Sequence, residues 1–203
     1  MKQLGILIFD DAEELDFVGP WEVFQMANEV ADHLGQPRPL ENRLISPDGG
    51  DVTCRKAMRV GAHAAMDEVS ALDVLLVPGG EGTRIMIETL PVMDWVRAIA
   101  PGCEWVTSVC TGSFVLSKAG LLDGKRCTTH WANFEEFRAL GLAGELVKDV
   151  RYVRDGHVVT SAGVSAGTDM ALWLVGQWVS PRFSRQVAKV MQYDPVPPYA
   201  AEV

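Results

Sequence analysis

The chain has 203 residues, of which 48% are hydrophobic, and its formal net charge is -9. This size and composition predict one globular domain over residues 1-203 with a well-filled core, because no low-complexity linker divides the chain. The pI near 4.9 argues against a nucleic-acid partner, since no basic run offsets the repulsion from a phosphate backbone.

The N-terminal part has a strand pattern followed by a helix pattern. Residues 4–9 are an apolar run too short to span a membrane, and no basic start or small-residue cleavage site marks a secretory signal, so we expect a cytoplasmic protein without a membrane partner. After Pro20, the apolar residues Trp21, Phe24 and Ala27 recur at helical spacing. This spacing predicts a helix with Pro20 in its first turn, where the missing N–H of proline costs no hydrogen bond.

The middle of the chain alternates between strand and helix patterns. Runs 73–77 and 105–109 lack strict polar alternation, which is typical of parallel strands covered on both faces. Helical patterns are predicted over residues 91–100, 113–119, 133–140, 166–178 and 182–191. The alternation predicts an α/β fold, a three-layer α-β-α sandwich around a doubly wound, mostly parallel, flavodoxin-like sheet, with ligands bound beyond the carboxyl ends of the strands.

The C-terminal part carries a hairpin signal and a proline-rich tail. Residues 151–154 and 157–160 flank Asp155-Gly156, a preferred pair for a two-residue hairpin turn, so we expect an antiparallel hairpin there. From Asp194 onward, three prolines predict an extended tail rather than a helix.

Cys110 lies where a strand pattern changes directly into a helix pattern. A sharp turn of this kind exposes the side chain above the sheet, and the N–H groups and dipole at the following helix start favour the thiolate, the form that attacks carbon. A free cysteine is more commonly a buried packing residue, but this position favours a nucleophile. The junction therefore predicts a cysteine nucleophile elbow.

Several segments around this junction resemble the ThiJ/PfpI superfamily, the class I glutamine-amidotransferase-like branch with a cysteine at the elbow, and within it the isocyanide hydratases. The matching segments are residues 15–20 (LDFVGP), 77–80 (VPGG), 107–113 (TSVCTGS), 120–126 (GLLDGKR), 128–131 (TTHW) and 162–167 (AGVSAG). They occur in order over nearly the whole chain. The resemblance implies a small-molecule substrate and a homodimer whose second subunit borders the pocket.

Asp16 and Thr111 are the predicted partners of Cys110. Superfamily members resembling this chain place a carboxylic acid from the segment of Asp16 against the cysteine sulfur, and the repulsion between two neighbouring anions should raise the pKa of that acid so that it holds a proton at neutral pH. The alternative for Asp16 is a helix-capping carboxylate. Thr111 follows the nucleophile, and its N–H and hydroxyl can stabilise charge there, although a threonine at a helix start also serves as a cap.

Two glycine-containing loops complete the predicted backbone of the site. Gly79 and Gly80 follow a strand, and we expect their loop to border the cysteine and supply a second N–H donor. Gly163 and Val164 lie in a small-residue segment at the same sheet edge, and we expect them to line the pocket. Both segments are equally compatible with plain strand-to-helix turns.

Aromatic residues next to these motifs predict an apolar pocket wall formed by Phe17, Trp21 and Trp131, although such residues are more often core. His130 lies in a matching motif, and we favour a structural role for it over a catalytic one. Glu13 and Glu14 are interpreted as exposed loop charges.

The predicted reaction is the hydration of an organic isocyanide to an N-substituted formamide through a thioimidate on Cys110, with Asp16 as proton donor and acceptor. It needs no cofactor, and no cofactor motif or metal-like C-x-x-C spacing is present among the four cysteines. Attack on an α-oxoaldehyde is the second enzymatic hypothesis. A ligand- or redox-sensing module is the third, because domains of AraC-type regulators share much of the signature. A regulator should continue into a helix-turn-helix domain, and the chain ends at Val203.

Overall fold

A seven-stranded sheet forms the centre of the structure, a computed structural model that describes residues 1–195. The strands are β1 (Lys2–Leu7), β2 (Leu40–Ser46), β3 (Val52–Thr53), β4 (Arg59–Val60), β5 (Ala64–Ala65), β6 (Val74–Val77), β7 (Trp105–Val109), β8 (Arg126–Cys127), β9 (Glu145–Leu146), β10 (Tyr152–Asp155) and β11 (Val158–Ser161). The helices are α1 (Glu14–His33), α2 (Thr83–Met86), α3 (Leu90–Ile99), α4 (Gly112–Lys118), α5 (Phe134–Ala139), α6 (Ala166–Trp178) and α7 (Pro181–Val190).

The strand order of the sheet is β10-β11-β7-β6-β1-β2-β5, and its pairings are parallel except between β10 and β11. Every residue of β6 and β7 is buried, as expected for strands that are covered on both faces. Short two-stranded pairs, β3 with β4 and β8 with β9, lie outside the main sheet. The predicted α/β fold with a mostly parallel sheet is confirmed.

The direction of the crossovers places helices on both faces of the sheet. The chain moves from β1 to β2 in one direction across the sheet and from β6 to β7 in the other. Because parallel crossovers are right-handed, the connecting helices α1 and α3 lie on opposite faces. Helix α1 packs against α6 and α7, so these three helices form one layer.

Helix α1 begins earlier than the sequence analysis predicted. It starts at Glu14, so Pro20 lies inside the helix and not in its first turn. The helix packs closely against α6 next to this proline: a Cβ on Gly19 would lie 2.5 Å from Oγ1 of Thr168. The early start places Asp16 within the first helical turn.

The remaining elements follow the predictions closely. Strand β7 and helix α6 have the predicted bounds, and apart from α1 the other predicted helices differ by one residue at each end. The antiparallel hairpin β10–β11 is present, but Asp155 pairs with Val158, so its two-residue loop is Gly156-His157 instead of Asp155-Gly156. Most of the predicted extended tail, residues 196–203, lies outside the described residues.

Buried apolar residues from β1 through α7 form one contiguous cluster. Within the described part of the chain, no helix is long and apolar enough to cross a membrane.

Candidate active site

Cys110 occupies a sharp turn between β7 and α4. Its φ is 56°, in the left-handed region that non-glycine residues rarely adopt. Hydrogen bonds hold the turn on both sides: its N–H donates to the carbonyl oxygens of Ser161 and Ala162 at 3.1 and 3.0 Å, and its carbonyl oxygen accepts from the Thr129 hydroxyl at 2.9 Å. The surrounding structure therefore maintains the strained conformation of the predicted elbow.

Asp16, Gly79 and Cys110 meet at the carboxyl edge of the sheet. A Cβ built on Gly79 would lie 2.8 Å from both Asp16 Oδ2 and the Cβ of Cys110, and 2.6 Å from the backbone nitrogen of Thr111. No side chain can be accommodated at Gly79, and its absence lets the carboxyl group approach the cysteine. This position of Asp16 and Gly79 beside Cys110 agrees with the expectation from the sequence.

The Asp16 side chain is fully buried and points to the Gly79 loop. Its Oδ2 accepts a hydrogen bond from the Gly79 N–H at 2.9 Å, so the carboxyl does not cap its own helix. Among residues 1–195, Oδ1 accepts no hydrogen bond of normal geometry. The Cys110 thiol and the Val164 N–H nevertheless favour the ionised carboxylate and lower the pKa of Asp16 slightly. The pKa of Asp16 is raised to about 7, mainly by burial and in part by the charge of Glu13.

Cys110 is also buried, with 8% of its surface exposed, and this corrects the expectation of a resting thiolate. The pKa of its thiol is raised to about 12, mainly by burial and in part by the charge of Asp16, while the N–H and hydroxyl of Thr111 oppose the shift. Since two neighbouring anions repel each other, Asp16 and Cys110 together retain one proton above neutral pH. The pair can release that proton to a substrate atom and take it back.

The Gly79-Gly80 loop was predicted to supply a free N–H donor, but both of its N–H groups are already hydrogen-bonded. The Gly79 N–H is bonded to Asp16, and the Gly80 N–H donates to Thr111 Oγ1 at 3.0 Å. Both N–H groups therefore hold site side chains in place and are not free to stabilise a reacting atom.

Thr111 directs its hydroxyl into the site. It is the residue before α4, but its side chain accepts no capping hydrogen bond from that helix. Its Oγ1 instead contacts the Gly80 N–H and lies 3.2 Å from both the Gly80 carbonyl oxygen and Thr83 Oγ1. The capping interpretation of Thr111 is wrong.

A cavity of about 190 Å³ opens above Cys110 and Thr111, bordered by Gly80, Val164 and His130. The three aromatic residues predicted as its apolar wall do not line it. Phe17 is buried in the core, Trp21 stacks on His63 with ring centres 5.4 Å apart, and Trp131 is 77% exposed.

The outer wall of the cavity is polar and charged instead, formed by Glu13, Arg55, Glu81, Arg84 and Asn133. Glu13 was interpreted as an exposed loop charge, but its side chain is only 15% exposed and pairs with Lys56. The neighbouring Glu14 is likewise only 15% exposed, with Oε1 accepting from the Lys56 N–H at 2.6 Å. The two arginines were not predicted as site residues, because nothing in the local pattern distinguishes them from surface cations.

Val164 borders the cavity as expected, whereas Gly163, expected to line it as well, lies against His130. Val164 has a φ of 52°, a second strained position in the site, and a Cβ on Gly163 would lie 2.0 Å from Cδ2 of His130. The absence of that Cβ allows the imidazole to pack on the loop. Nδ1 of His130 accepts from the Ala132 N–H at 3.3 Å, which ties the ring to its own turn.

The other three cysteines, Cys54, Cys103 and Cys127, are buried free thiols. In residues 1–195, no group of three or more His, Cys, Asp or Glu side chains is arranged to hold a metal ion.

Comparison with known proteins finds relatives that match most of the chain. The chain is 37% identical over 197 residues to isonitrile hydratase of Pseudomonas putida, covering 97% of this chain and 81% of that protein. It is 33% identical to the HTH-type transcriptional regulator CdhR of Pseudomonas aeruginosa over 93% of this chain, and spans about half of that regulator (54%).

A crystal structure of a ThiJ/PfpI family protein from Pseudomonas syringae has a similar fold, with a TM-score of 0.84 at 27% identity, over 97% of this chain and 77% of that one. The model of the DJ-1/PfpI family matches residues 2–177. The resemblance stated from the sequence motifs is thus confirmed, and the chain belongs to the DJ-1/PfpI family.

Proposed function

We propose that this protein is a cofactor-independent isocyanide hydratase, with Cys110 as nucleophile, Asp16 as proton donor and acceptor, and Thr111 as a hydrogen-bond donor to the reacting group. The observation that carries the proposal is the buried carboxyl of Asp16 placed against the strained Cys110 at the base of a cavity. Similarity to isonitrile hydratase, a synonym for the same activity, supports the substrate class.

In the first step, the Cys110 sulfur bonds to the terminal carbon of R–N≡C, and the proton shared with Asp16 is transferred to that same carbon. The product is the thioimidate S–CH=N–R, with Asp16 left as a carboxylate. An isocyanide needs both a nucleophile and a proton at one carbon, and a pair that shares a single proton supplies both.

In the second step, water adds across the C=N bond. The Asp16 carboxylate takes a proton from the water while the water oxygen bonds to carbon. Asp16 then passes that proton to the nitrogen, which gives S–CH(OH)–NH–R. The C–S bond then breaks, the hydroxyl proton returns to the pair, and the formamide HC(=O)–NH–R leaves. Every proton is accounted for by water and by the shared proton.

The polar cavity constrains the substrate. Its volume of about 190 Å³ is below the usual range of about 300 to 1,000 Å³ for small-molecule pockets. We therefore propose that isocyanides with small or polar substituents react faster than large apolar ones.

The test is to incubate the purified protein with a small alkyl isocyanide and with para-nitrophenyl isocyanide and to follow formamide formation. Cys110→Ala should abolish turnover. Cys103→Ala is the matched control, because Cys103 is a buried free thiol that does not line the cavity, and it should retain activity. Turnover that survives in Cys110→Ala would contradict the proposal.

A second candidate is cysteine-dependent conversion of an α-oxoaldehyde. The charged residues Arg55, Glu81 and Arg84 at the cavity mouth favour it, because they suit a hydrated, polar carbonyl compound. If well-folded protein leaves all isocyanides unchanged and consumes methylglyoxal, this candidate replaces the first. If neither reacts, the similarity to CdhR favours a ligand-sensing role.

A further inference from the structure

The carbonyl oxygen of Gly80 is approached by four hydrogen-bond donors. The Thr83 hydroxyl lies 2.8 Å from it, Arg84 Nη1 3.0 Å, Thr111 Oγ1 3.2 Å and the Thr83 backbone nitrogen 3.3 Å. A carbonyl oxygen has two lone pairs. The two nearest side-chain donors, Thr83 and Arg84, therefore compete with Thr111 for this oxygen, and the hydrogen bond from Thr111 is the longest of the three.

Arg84 is held in place for this contact. Its Nε donates to Glu136 Oε1 at 2.9 Å, its Nη2 pairs with the other oxygen of that carboxylate, and its guanidinium lies over the Phe114 ring with 5.2 Å to the ring centre. The remaining nitrogen, Nη1, is directed at Gly80 and lies 3.1 Å from Thr83 Oγ1. Thr83 itself is fully buried.

The Thr111 hydroxyl proton is consequently held only weakly by the protein. Its oxygen already accepts from the Gly80 N–H at 3.0 Å. Within the described residues, its proton is donated to the Gly80 carbonyl oxygen, 3.2 Å away, which is longer than the usual range of about 2.5 to 3.0 Å for O–H···O bonds. Cys110 is the adjacent residue.

We propose that Thr83, supported by Arg84, is a positioning residue: by competing for the Gly80 carbonyl, it weakens the hydrogen bond that Thr111 donates there and leaves the Thr111 hydroxyl proton available to the Cys110 sulfur and to groups bound there. The inference rests on the part of the proposed function that makes Cys110 the nucleophile. The effect of the Thr111 hydroxyl in lowering the pKa of the Cys110 thiol agrees with it.

The test measures alkylation of Cys110 by iodoacetamide at about pH 8, quantified on the Cys110 peptide by mass spectrometry. Thr83→Val removes the competing hydroxyl, so Thr111 bonds the Gly80 carbonyl more strongly, the thiolate loses a donor and we expect alkylation to slow by about tenfold. Thr83→Ser keeps the hydroxyl and should react within about twofold of wild type on the same scale. Thr83→Ala repeats the test if Thr83→Val does not fold.

A double-mutant cycle separates positioning from a general structural effect. Thr111→Val should also slow alkylation by about tenfold, and adding Thr83→Val to it should have no further effect. The proposal is overturned if Thr83→Val reacts like wild type, or if its full effect persists in the Thr111→Val background. Alkylation requires no isocyanide, so failure of the proposed hydratase activity gives a different result from failure of this inference.

Discussion

The buried carboxyl of Asp16 should reduce folding stability above neutral pH, and Asp16→Asn should remove that loss. Below the ordinary pKa of 3.8, the folded and unfolded chains both hold the proton. Between 3.8 and about 7 the unfolded chain releases it while the folded chain keeps it, so the free energy of unfolding falls as pH rises. Above about 7 the loss is complete.

The magnitude follows from the size of the shift. A pKa raised from 3.8 to about 7 is a change of about three units, and at 1.36 kcal/mol per unit it corresponds to about 4 kcal/mol. An asparagine at position 16 keeps an oxygen for the Gly79 N–H but places an NH₂ group where Oδ1 now lacks a normal partner. That fixed cost is the same at every pH, so it cancels when two pH values are compared.

Urea unfolding of wild type and Asp16→Asn at about pH 4 and about pH 8 measures the effect. Relative to wild type, the free energy of unfolding of the variant should increase by about 4 kcal/mol from about pH 4 to about pH 8. This increase moves its urea midpoint up by about 2 M relative to that of wild type. Asp94→Asn is the matched control, because the Asp94 side chain is 74% exposed. A difference between wild type and Asp16→Asn that does not grow with pH would refute this account of the buried carboxyl.

Three further predictions concern activity. The kcat/KM for hydration should rise with pH through about 7, because the pair of Asp16 and Cys110 loses the first of its two protons there. Asp16→Asn should lack that rise. A wild-type profile that is flat across this range contradicts the shared proton. Gly79→Ala should lower kcat by about a hundredfold, because its Cβ displaces both reactive side chains, whereas Gly102→Ala, which has open space around it, should leave steady-state rates unchanged. His130→Ala should lower kcat by less than about tenfold, since the ring bonds its own turn; a loss of about a hundredfold or more in the same assay would make the imidazole catalytic.

The elbow was predictable because its signal is local. The apolar run of residues 105–109 followed by the Thr111 to Ser113 segment places Cys110 at a strand-to-helix junction, and the structure has that junction with a φ of 56°. Strand β7 and helix α6 were predicted with correct bounds for the same reason, since hydrophobic periodicity depends on neighbouring residues alone. The pocket wall was not predictable in this way. Trp131 is apolar in character yet 77% exposed, and Arg84 looks like a surface cation yet contacts the Gly80 carbonyl.

The sequence by itself determined the alternation of strands and helices, the mostly parallel sheet, and the identities of the cysteine and the carboxylic acid brought to one edge. The tertiary structure decided how these groups behave. Asp16 and Gly79 are 63 residues apart in the chain, and their hydrogen bond exists only after β1, α1 and β6 have packed together. Burial of Asp16 and Cys110 then raises both pKa values, so the pair shares a proton in place of a resting thiolate. Local pattern cannot predict such shifts, because the loss of solvent and the approach of a second charge both depend on long-range packing.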